Sequence, residues 1–233
     1  MKKVRCLLGS CLLAAGAAQA AVIDLDLPAA GAYSNATVIL TSQSYNGATF
    51  AIAYTVDATA GVETSSDVAA YSTGSQLGVK SVADGATDGH WVTLEGEDDE
   101  RLSFTSLSIV NFEAGTSGLA IDDIVNLRFI GLSLNNTGNQ RDGINVSFAA
   151  FETDTANINL SSVGTETTID LTALSNYNSP ETALYIENDS ASSSDRWAVT
   201  GLQVAYTIPE PATLGLVVAS AGGLLVIRRR FMI

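Results

Sequence analysis

The strongest constraint on how this chain can fold is the alternation of apolar and polar residues along its body. Nine segments show a period of two, which is the pattern of a β-strand with one buried face. They are residues 22–27, 48–56, 91–94, 102–112, 125–134, 144–151, 167–174, 183–186 and 196–206. Clusters of Gly, Asn, Asp and Ser separate them, and these residue types favour turns. The sequence therefore predicts an all-β fold, an antiparallel β-sandwich with the jelly-roll as the preferred architecture.

Three of these segments contain a one-residue slip in the apolar phase. The slips fall at Thr105-Ser106, near Gly131 and near Gly201. A β-bulge produces such a slip because it inserts one extra residue into a strand, and it also bends the strand. The sequence therefore predicts three bulged, curved strands, which suit a two-sheet jelly-roll.

The body of the chain, residues 21–208, is acidic and free of cysteine. Its 188 residues are enough for one domain with a real core. It carries 24 acidic and five basic residues, so its net charge is −19. This charge disfavours nucleic acid and anionic membranes as partners, whereas calcium or a neutral or cationic surface is compatible with it. An acidic surface that only keeps the protein soluble is the alternative explanation.

The N-terminal segment, residues 1–20, has the three-part layout of a secretory signal peptide. Three basic residues are followed by an apolar run over residues 6–18 and by a small-x-small pattern formed by Ala18 and Ala20. This pattern predicts export by the Sec machinery and cleavage by signal peptidase after Ala20. A lipoprotein signal at residues 8–11 is the alternative, although it leaves a very short apolar region. Both cysteines of the chain, Cys6 and Cys11, lie in this segment, so the mature body has no disulfide.

A proline motif, an apolar stretch and a basic cluster follow one another at the C-terminus. They are Pro209, Glu210 and Pro211, then residues 212–227, then Arg228, Arg229 and Arg230. The apolar stretch would span about 24 Å as a helix, close to the thickness of the hydrocarbon core. The arginines should stay on the cytoplasmic side, which leaves the body outside the inner membrane.

This order of features resembles the PEP-CTERM sorting signal of bacteria that make extracellular polysaccharide. The resemblance covers residues 209–233 and implies that an exosortase recognises the tail and removes it near the proline motif. It also implies that the inner membrane holds the tail before processing, and that the mature protein reaches the cell surface or extracellular matrix. Residues 97–104 and 197–204 are loosely similar to the β-domains of such proteins. An ordinary tail anchor is the alternative.

The body lacks a coherent catalytic set. Its one histidine, His90, has no Gly-x-Ser-x-Gly motif to accompany it, and no phosphate-binding glycine loop is present. Paired carboxylates are plentiful in so acidic a chain, which makes them weak evidence for a glycosidase. The sequence therefore predicts a protein that is not an enzyme, with a carbohydrate-active hydrolase or lyase as the alternative.

Two candidate binding features remain in the body. An acidic run offers oxygen ligands to calcium, with a solvated acidic turn as the alternative explanation. Its members are Glu97, Asp98, Asp99 and Glu100. Tyr45 and Tyr177 lie in loop-like sequence and are candidates for stacking on a sugar, whereas Trp197 is in phase with Val199 and is expected in the core.

Together these features predict a structural, adhesive or glycan-binding β-sandwich at the cell surface or in the extracellular matrix. Extracellular polysaccharide is the expected partner. Assembly through an exposed edge strand is a further possibility.

Overall fold

The computed structural model describes residues 19–39, 42–45, 47–59, 68–81, 92–95, 98–116, 118–136, 142–149, 155–160, 166–178, 180–188 and 196–208. For residues 19, 81, 92–95, 98, 99, 142, 160 and 196 it describes the backbone alone. Ala21–Tyr206 forms one compact unit, and the fold and the site described below belong to it.

Strands dominate the described residues, and the two helices among them are single 3-10 turns at Ile121–Asp123 and Leu171–Ala173. The strands are β1 (Gln19–Leu25), β2 (Gly31–Tyr33), β3 (Ala36–Ile39), β4 (Gln43–Tyr45), β5 (Ala48–Thr59), β6 (Val68–Ser72), β7 (Leu77–Ser81), β8 (Val92–Glu95), β9 (Asp98–Asp99), β10 (Arg101–Glu113), β11 (Val125–Asn136), β12 (Asp142–Ser147), β13 (Ala156–Leu160), β14 (Glu166–Asp170), β15 (Leu184–Asn188) and β16 (Arg196–Ile208). Each of the nine predicted strand segments overlaps one of them.

In the described part of the chain these strands form two antiparallel sheets, which confirms the predicted all-β class and is consistent with a β-sandwich. One sheet has nine strands, with the main order β14-β11-β16-β7-β6-β2, with β1 and β8 also paired to β16, and with β9 paired to β8. The other has seven strands, ordered β13-β12-β15-β10-β5-β3, with β4 also paired to β5.

The core consists of apolar side chains of the long strands, buried without a break over residues 50–54 of β5. Phe50 of β5 meets Tyr206 of β16 edge to face at 5.4 Å between ring centroids, so these rings link the two sheets. Trp197 is fully buried, which confirms its predicted place in the core. Val199 on the same face of β16 is buried as well, and so is Ala198 between them, so this part of β16 is covered on both faces.

The bulge predicted at Thr105-Ser106 is confirmed. The register of β10 against β5 shifts between Thr105 and Ser108, and Ser106 has a φ of 55°. A second shift follows between Val110 and Glu113, and the sequence pattern did not predict it. Each shift breaks the alternation once, so the two together return β10 to its first phase.

Near Gly131 and Gly201 the burial pattern slips as predicted. Phe129 and then Leu132 are buried in β11, and Val199 and then Leu202 are buried in β16. From Gly131 onward, however, β11 pairs with β14 without a register shift. The register against β14 therefore shows no bulge after Gly131.

The strand predicted over residues 167–174 is too long at its C-terminal end. β14 stops at Asp170, and Leu171–Ala173 forms a 3-10 turn instead. The Asp170 carboxylate accepts hydrogen bonds from the backbone N–H of Thr172 at 3.0 Å and from its hydroxyl at 2.6 Å. Such side-chain capping offers the backbone an alternative to the sheet ladder, which explains why the strand ends there.

The connection after β10 depends on a glycine. Gly115 has a φ of 54°, and a Cβ there would collide with the backbone carbonyl of Gly47 in the β4–β5 turn. We expect Gly115→Ala to lower the free energy of unfolding by about 2–4 kcal/mol, because left-handed strain and a backbone collision add together. Gly118 has a φ of 69° but no atom within 4 Å of its Cβ position, so Gly118→Ala should cost only about 1 kcal/mol. Urea unfolding of both variants checks this, and equal losses would contradict the close approach to Gly47.

Candidate binding groove

A groove of about 400 Å³ lies beside β16 of the nine-stranded sheet, where this strand changes neighbours. β16 pairs with β8 at Arg196 and Trp197 and with β7 at Val199, and it also pairs with β1. Segments of β16, β11 and β14 form the floor, and the end of β1 and the β6–β7 turn form the walls. The lining residues are Asp24, Leu25, Asp26, Leu27, Gly74, Ser75, Ser133, Glu166, Thr200, Gly201, Leu202 and Gln203.

The wall that follows β1 is held by side-chain hydroxyls. Three of them donate to carbonyl oxygens of this segment: Tyr54 to Asp26 at 3.5 Å, Ser72 to Pro28 at 2.6 Å and Tyr33 to Ala29 at 2.6 Å. Ser72 is fully buried and also accepts the backbone N–H of Gly74 at 2.9 Å, so it joins this wall to the opposite one. A hydrogen-bonded wall of this kind gives a preformed site, which binds with less loss of conformational entropy.

The wall formed by the β6–β7 turn is closed by its own threonine. The backbone N–H of Thr73 donates to the carbonyl of Gln76 at 2.9 Å, and the Thr73 hydroxyl accepts the N–H of Gln76 at 3.2 Å. Both bonds are of the local type that Thr and Ser favour in tight turns. The turn therefore presents Gly74 and Ser75 to the groove in a fixed arrangement.

The floor needs a residue without a side chain at Gly131. A Cβ at that position would collide with the Gln203 side chain and would lie 3.0 Å from its Cβ and 3.1 Å from its Cδ. The Gln203 amide extends over this glycine and donates to the Asp24 carboxylate at 2.7 Å. Gly131 thus makes room for the bond that joins the floor to the β1 wall.

We expect Gly131→Ala to lower the free energy of unfolding by about 1–2 kcal/mol, because Gln203 must move away from Asp24. The matched control is Gly201→Ala on the same floor. Its Cβ would lie 3.5 Å from the nearest atom of Ser133, an ordinary contact, so its effect should stay within about 0.5 kcal/mol. Urea unfolding measures both, and a loss in Gly201→Ala as large as that in Gly131→Ala would contradict the role given to Gln203.

The charge of the groove is negative. Asp24, Asp26 and Glu166 line it and are exposed, and no Lys or Arg is among its described lining residues. Glu166 accepts a hydrogen bond from the Thr200 hydroxyl at 3.1 Å, and the Ser133 hydroxyl lies 3.1 Å from that of Thr168. The groove thus combines carboxylates with engaged hydroxyl and amide groups, and it disfavours anionic ligands.

Burial raises the pKa of Tyr54, and the nearby Tyr33 and Asp26 add to this effect. The pKa of Tyr206 is raised by burial and then by Tyr45. Below pH 10 both tyrosines are neutral in the folded and unfolded states, so they leave stability independent of pH. Above pH 10 the unfolded chain ionises first, so stability falls as pH rises.

We expect the free energy of unfolding to decrease above pH 10 by up to about 1.4 kcal/mol per pH unit for each of these tyrosines. Urea unfolding between pH 8 and pH 11 measures this slope. Tyr54→Phe and Tyr206→Phe should each reduce it. The alkaline loss would have another origin if both variants kept the slope of the unaltered protein.

The structure describes only part of the acidic run that the sequence predicted as a calcium site. Asp98 and Asp99 form β9, which pairs with β8, whereas Glu97 lies outside the described residues. Glu100 is only 2% exposed. Among the described residues, no group of three or more His, Cys, Asp or Glu side chains is arranged to hold a metal ion.

The two candidate stacking tyrosines lie apart from the lining of the groove. Tyr45 is half-buried in β4, opposite Ala48 of β5. Tyr177 is also half-buried. Its hydroxyl donates to the carbonyl of Phe129 at 2.9 Å, and its ring meets Phe148 edge to face at 5.2 Å. These contacts give Tyr177 a structural role.

Most predicted sorting residues lie outside the described part of the chain. This is true of Ala18 at the signal-peptide site and of the C-terminal motif, Pro209, Glu210, Pro211, Arg228, Arg229 and Arg230. Ala20 is described and lies exposed within β1. The helices that the structure describes are single turns, and none has the length and apolar sequence that crossing a bilayer requires.

Fold and site define, over the described residues, an all-β protein with two antiparallel sheets and a polar, acidic groove on one of them. Comparison with models of protein families, with curated proteins and with solved structures finds no match for this chain.

Proposed function

We propose that this chain is an exported protein of the bacterial cell surface or extracellular matrix that binds a glycan in the groove beside β16. The signal peptide at residues 1–20 and the PEP-CTERM-like tail at residues 209–233 are the sequence features that support export and processing by an exosortase. A jelly-roll arrangement of the two sheets is part of this proposal. The protein would act as a structural or adhesive component of the matrix.

The groove is the single observation that carries the glycan-binding role. Its volume is in the range of small-molecule sites, and its lining is mostly polar. Hydrogen-bonding groups held by the protein's own bonds suit the hydroxyl groups of a sugar. Because no aromatic residue lines the groove in the described part, recognition would depend on hydrogen bonds more than on stacking.

Co-sedimentation of the purified protein with the exopolysaccharide of its own organism tests this role. We expect saturable binding that is weakened at least tenfold in Gly131→Ala and retained in Gly118→Ala, a glycine outside the groove lining. Calcium bound by Glu97, Asp98, Asp99 and Glu100 is a second part of the proposal, and loss of binding in chelator would support it. Unsaturable binding, or none in either condition, would refute a matrix-binding groove.

Processing of the tail has its own test. The protein isolated from the cell surface should have a mass that lacks residues 1–20 and the segment beyond the proline motif. A mature species that still contains the C-terminal residues 231–233 would refute removal of the tail.

A carbohydrate-active hydrolase is the second candidate, because carboxylates from two separate segments line the groove. Asp24 and Asp26 belong to the β1 wall, whereas Glu166 belongs to β14. A glycosidase needs one such pair, with one acid kept protonated by its surroundings. All three carboxylates are exposed, which favours the binding role. Release of reducing ends from the bound polysaccharide, abolished in Glu166→Gln, would establish the hydrolase instead.

A further inference from the structure

The uncharged polar side chains that line the groove all have hydrogen-bond partners inside the protein. Gln203 donates to Asp24 at 2.7 Å, Thr200 donates to Glu166 at 3.1 Å, Ser133 lies 3.1 Å from the Thr168 hydroxyl, and Ser75 lies 3.4 Å from the Thr73 hydroxyl. A hydroxyl has a single proton to donate, so Thr200 is committed to Glu166, and each of the two hydroxyl pairs holds one proton between its members. Gln203 keeps a second amide N–H beside the one that it gives to Asp24.

What the lining still offers a ligand is mainly acceptors. An ionised carboxylate has about four acceptor sites and no proton to donate. Asp24 and Glu166 each use one of these sites for the bonds to Gln203 and Thr200. Both are exposed, so their remaining lone pairs face the groove or the solvent around it. A ligand that is rich in donors therefore fits this lining better than one that is rich in acceptors.

We infer that the groove binds the protonated amine of an amino-sugar residue, and that this amine selects the glycan. The inference rests on the proposed glycan-binding function and names the sugar class. An ammonium group has three donors and no acceptor, which complements the acceptor-only carboxylates of the lining in both hydrogen bonding and charge. The ring hydroxyls of the same residue add further donors at fixed positions.

A lysine side chain of a partner protein carries the same ammonium group but fits the groove less well. Its four-carbon stem packs on apolar surface when it binds. Two of the three leucines that line the groove, Leu25 and Leu202, are 5% and 1% exposed, so they offer little such surface. A sugar amine is attached to a polar ring and does not need it.

Calorimetry with two oligosaccharides of one backbone tests the inference. The probes are a glucosamine oligomer and its fully N-acetylated counterpart, titrated at pH 6 into the purified full-length protein. We expect the glucosamine oligomer to bind about tenfold more tightly, because charged hydrogen bonds are stronger than neutral ones. Added salt should reduce this preference.

The variants Asp24→Asn and Glu166→Gln keep the shape of the groove and remove its charge. Each should lower the preference for the glucosamine oligomer at least threefold. Glu113→Gln, at an exposed position of β10 outside the described lining, is the matched control and should leave the preference unchanged.

The outcomes separate this inference from the proposed function. Equal affinity for the two oligomers would overturn the amine selection and leave glycan binding intact. Failure of both oligomers and of the native polysaccharide to bind would refute the proposed function itself. A lysine-containing peptide that binds as tightly as the glucosamine oligomer would also overturn the inference, because the groove would then recognise any cation.

Discussion

Trp197→Ala is expected to lower the free energy of unfolding by about 3–5 kcal/mol, the largest loss that a single substitution in this core should cause. Trp197 is fully buried in β16, the strand that pairs with β11, β7, β8 and β1. Removal of its ring would leave a cavity in the middle of the nine-stranded sheet. Single domains are stable by only about 5–15 kcal/mol, so this loss is a large part of the total. Urea unfolding followed by circular dichroism measures it.

Trp197→Phe is the control for that experiment. The indole Nε1 of Trp197 is buried, and it has no hydrogen-bond partner in the described structure. A phenyl ring keeps most of the apolar volume and has no polar atom to satisfy, so this variant should lose no more than about 1.5 kcal/mol. A loss as large as that of Trp197→Ala would mean that the indole N–H contributes to stability, which is contrary to the expectation.

The sequence predicted the long strands well because their patterns are long. β10 and β16 each have 13 residues, enough to show both the period of two and the slip that interrupts it. The shorter strands carry no comparable signal. β2 is Gly-Ala-Tyr, and β7 contains a glycine, so neither shows an alternation that separates it from a turn. Pairing with longer neighbours makes these segments strands, and pairing is a property of the tertiary fold.

The groove was not predictable from the sequence because no local motif encodes it. Its lining comes from five separate segments, which meet only when β1, β11 and β14 assemble around β16 and the β6–β7 turn closes over them. The most specific feature of the groove is the space that Gly131 leaves for Gln203, and the sequence indicated it only indirectly. The slip near Gly131 identified an irregular position in β11 and could not identify its neighbour in β16.

Contacts between residues far apart in the sequence also limited what could be predicted for Tyr177. Tyr177-Asn178 has loop-like composition, which made the Tyr177 ring a candidate for stacking on a sugar. The structure instead directs its hydroxyl to the carbonyl of Phe129, 48 residues away. A loop residue that packs against distant strands has no periodic pattern around it in the sequence, so the contacts of Tyr177 could not be predicted.

A row of polar side chains crosses the seven-stranded sheet and leads to the second large effect. Arg101 of β10 faces Glu187 of β15, and Glu187 faces Asn145 of β12. The Nε of Arg101 lies 3.2 Å from Oε2 of Glu187, and the Asn145 amide donates to Oε1 at 3.3 Å. The side chains of the ion pair are only 17% and 12% exposed. The register therefore places a nearly buried carboxylate beside one cation.

We expect Arg101→Met to lower the free energy of unfolding by about 3 kcal/mol, because it leaves the Glu187 carboxylate buried beside an apolar side chain. The double variant Arg101→Met/Glu187→Met should recover most of this loss, since replacing a buried pair by apolar residues is often close to neutral. Arg128→Met is the matched control. Arg128 is half-buried and donates to the carbonyl of Asn126 at 3.1 Å, so its loss should stay below about 1 kcal/mol. Urea unfolding of the four proteins gives the coupling energy, and a double variant as unstable as Arg101→Met alone would contradict the assigned role of Glu187.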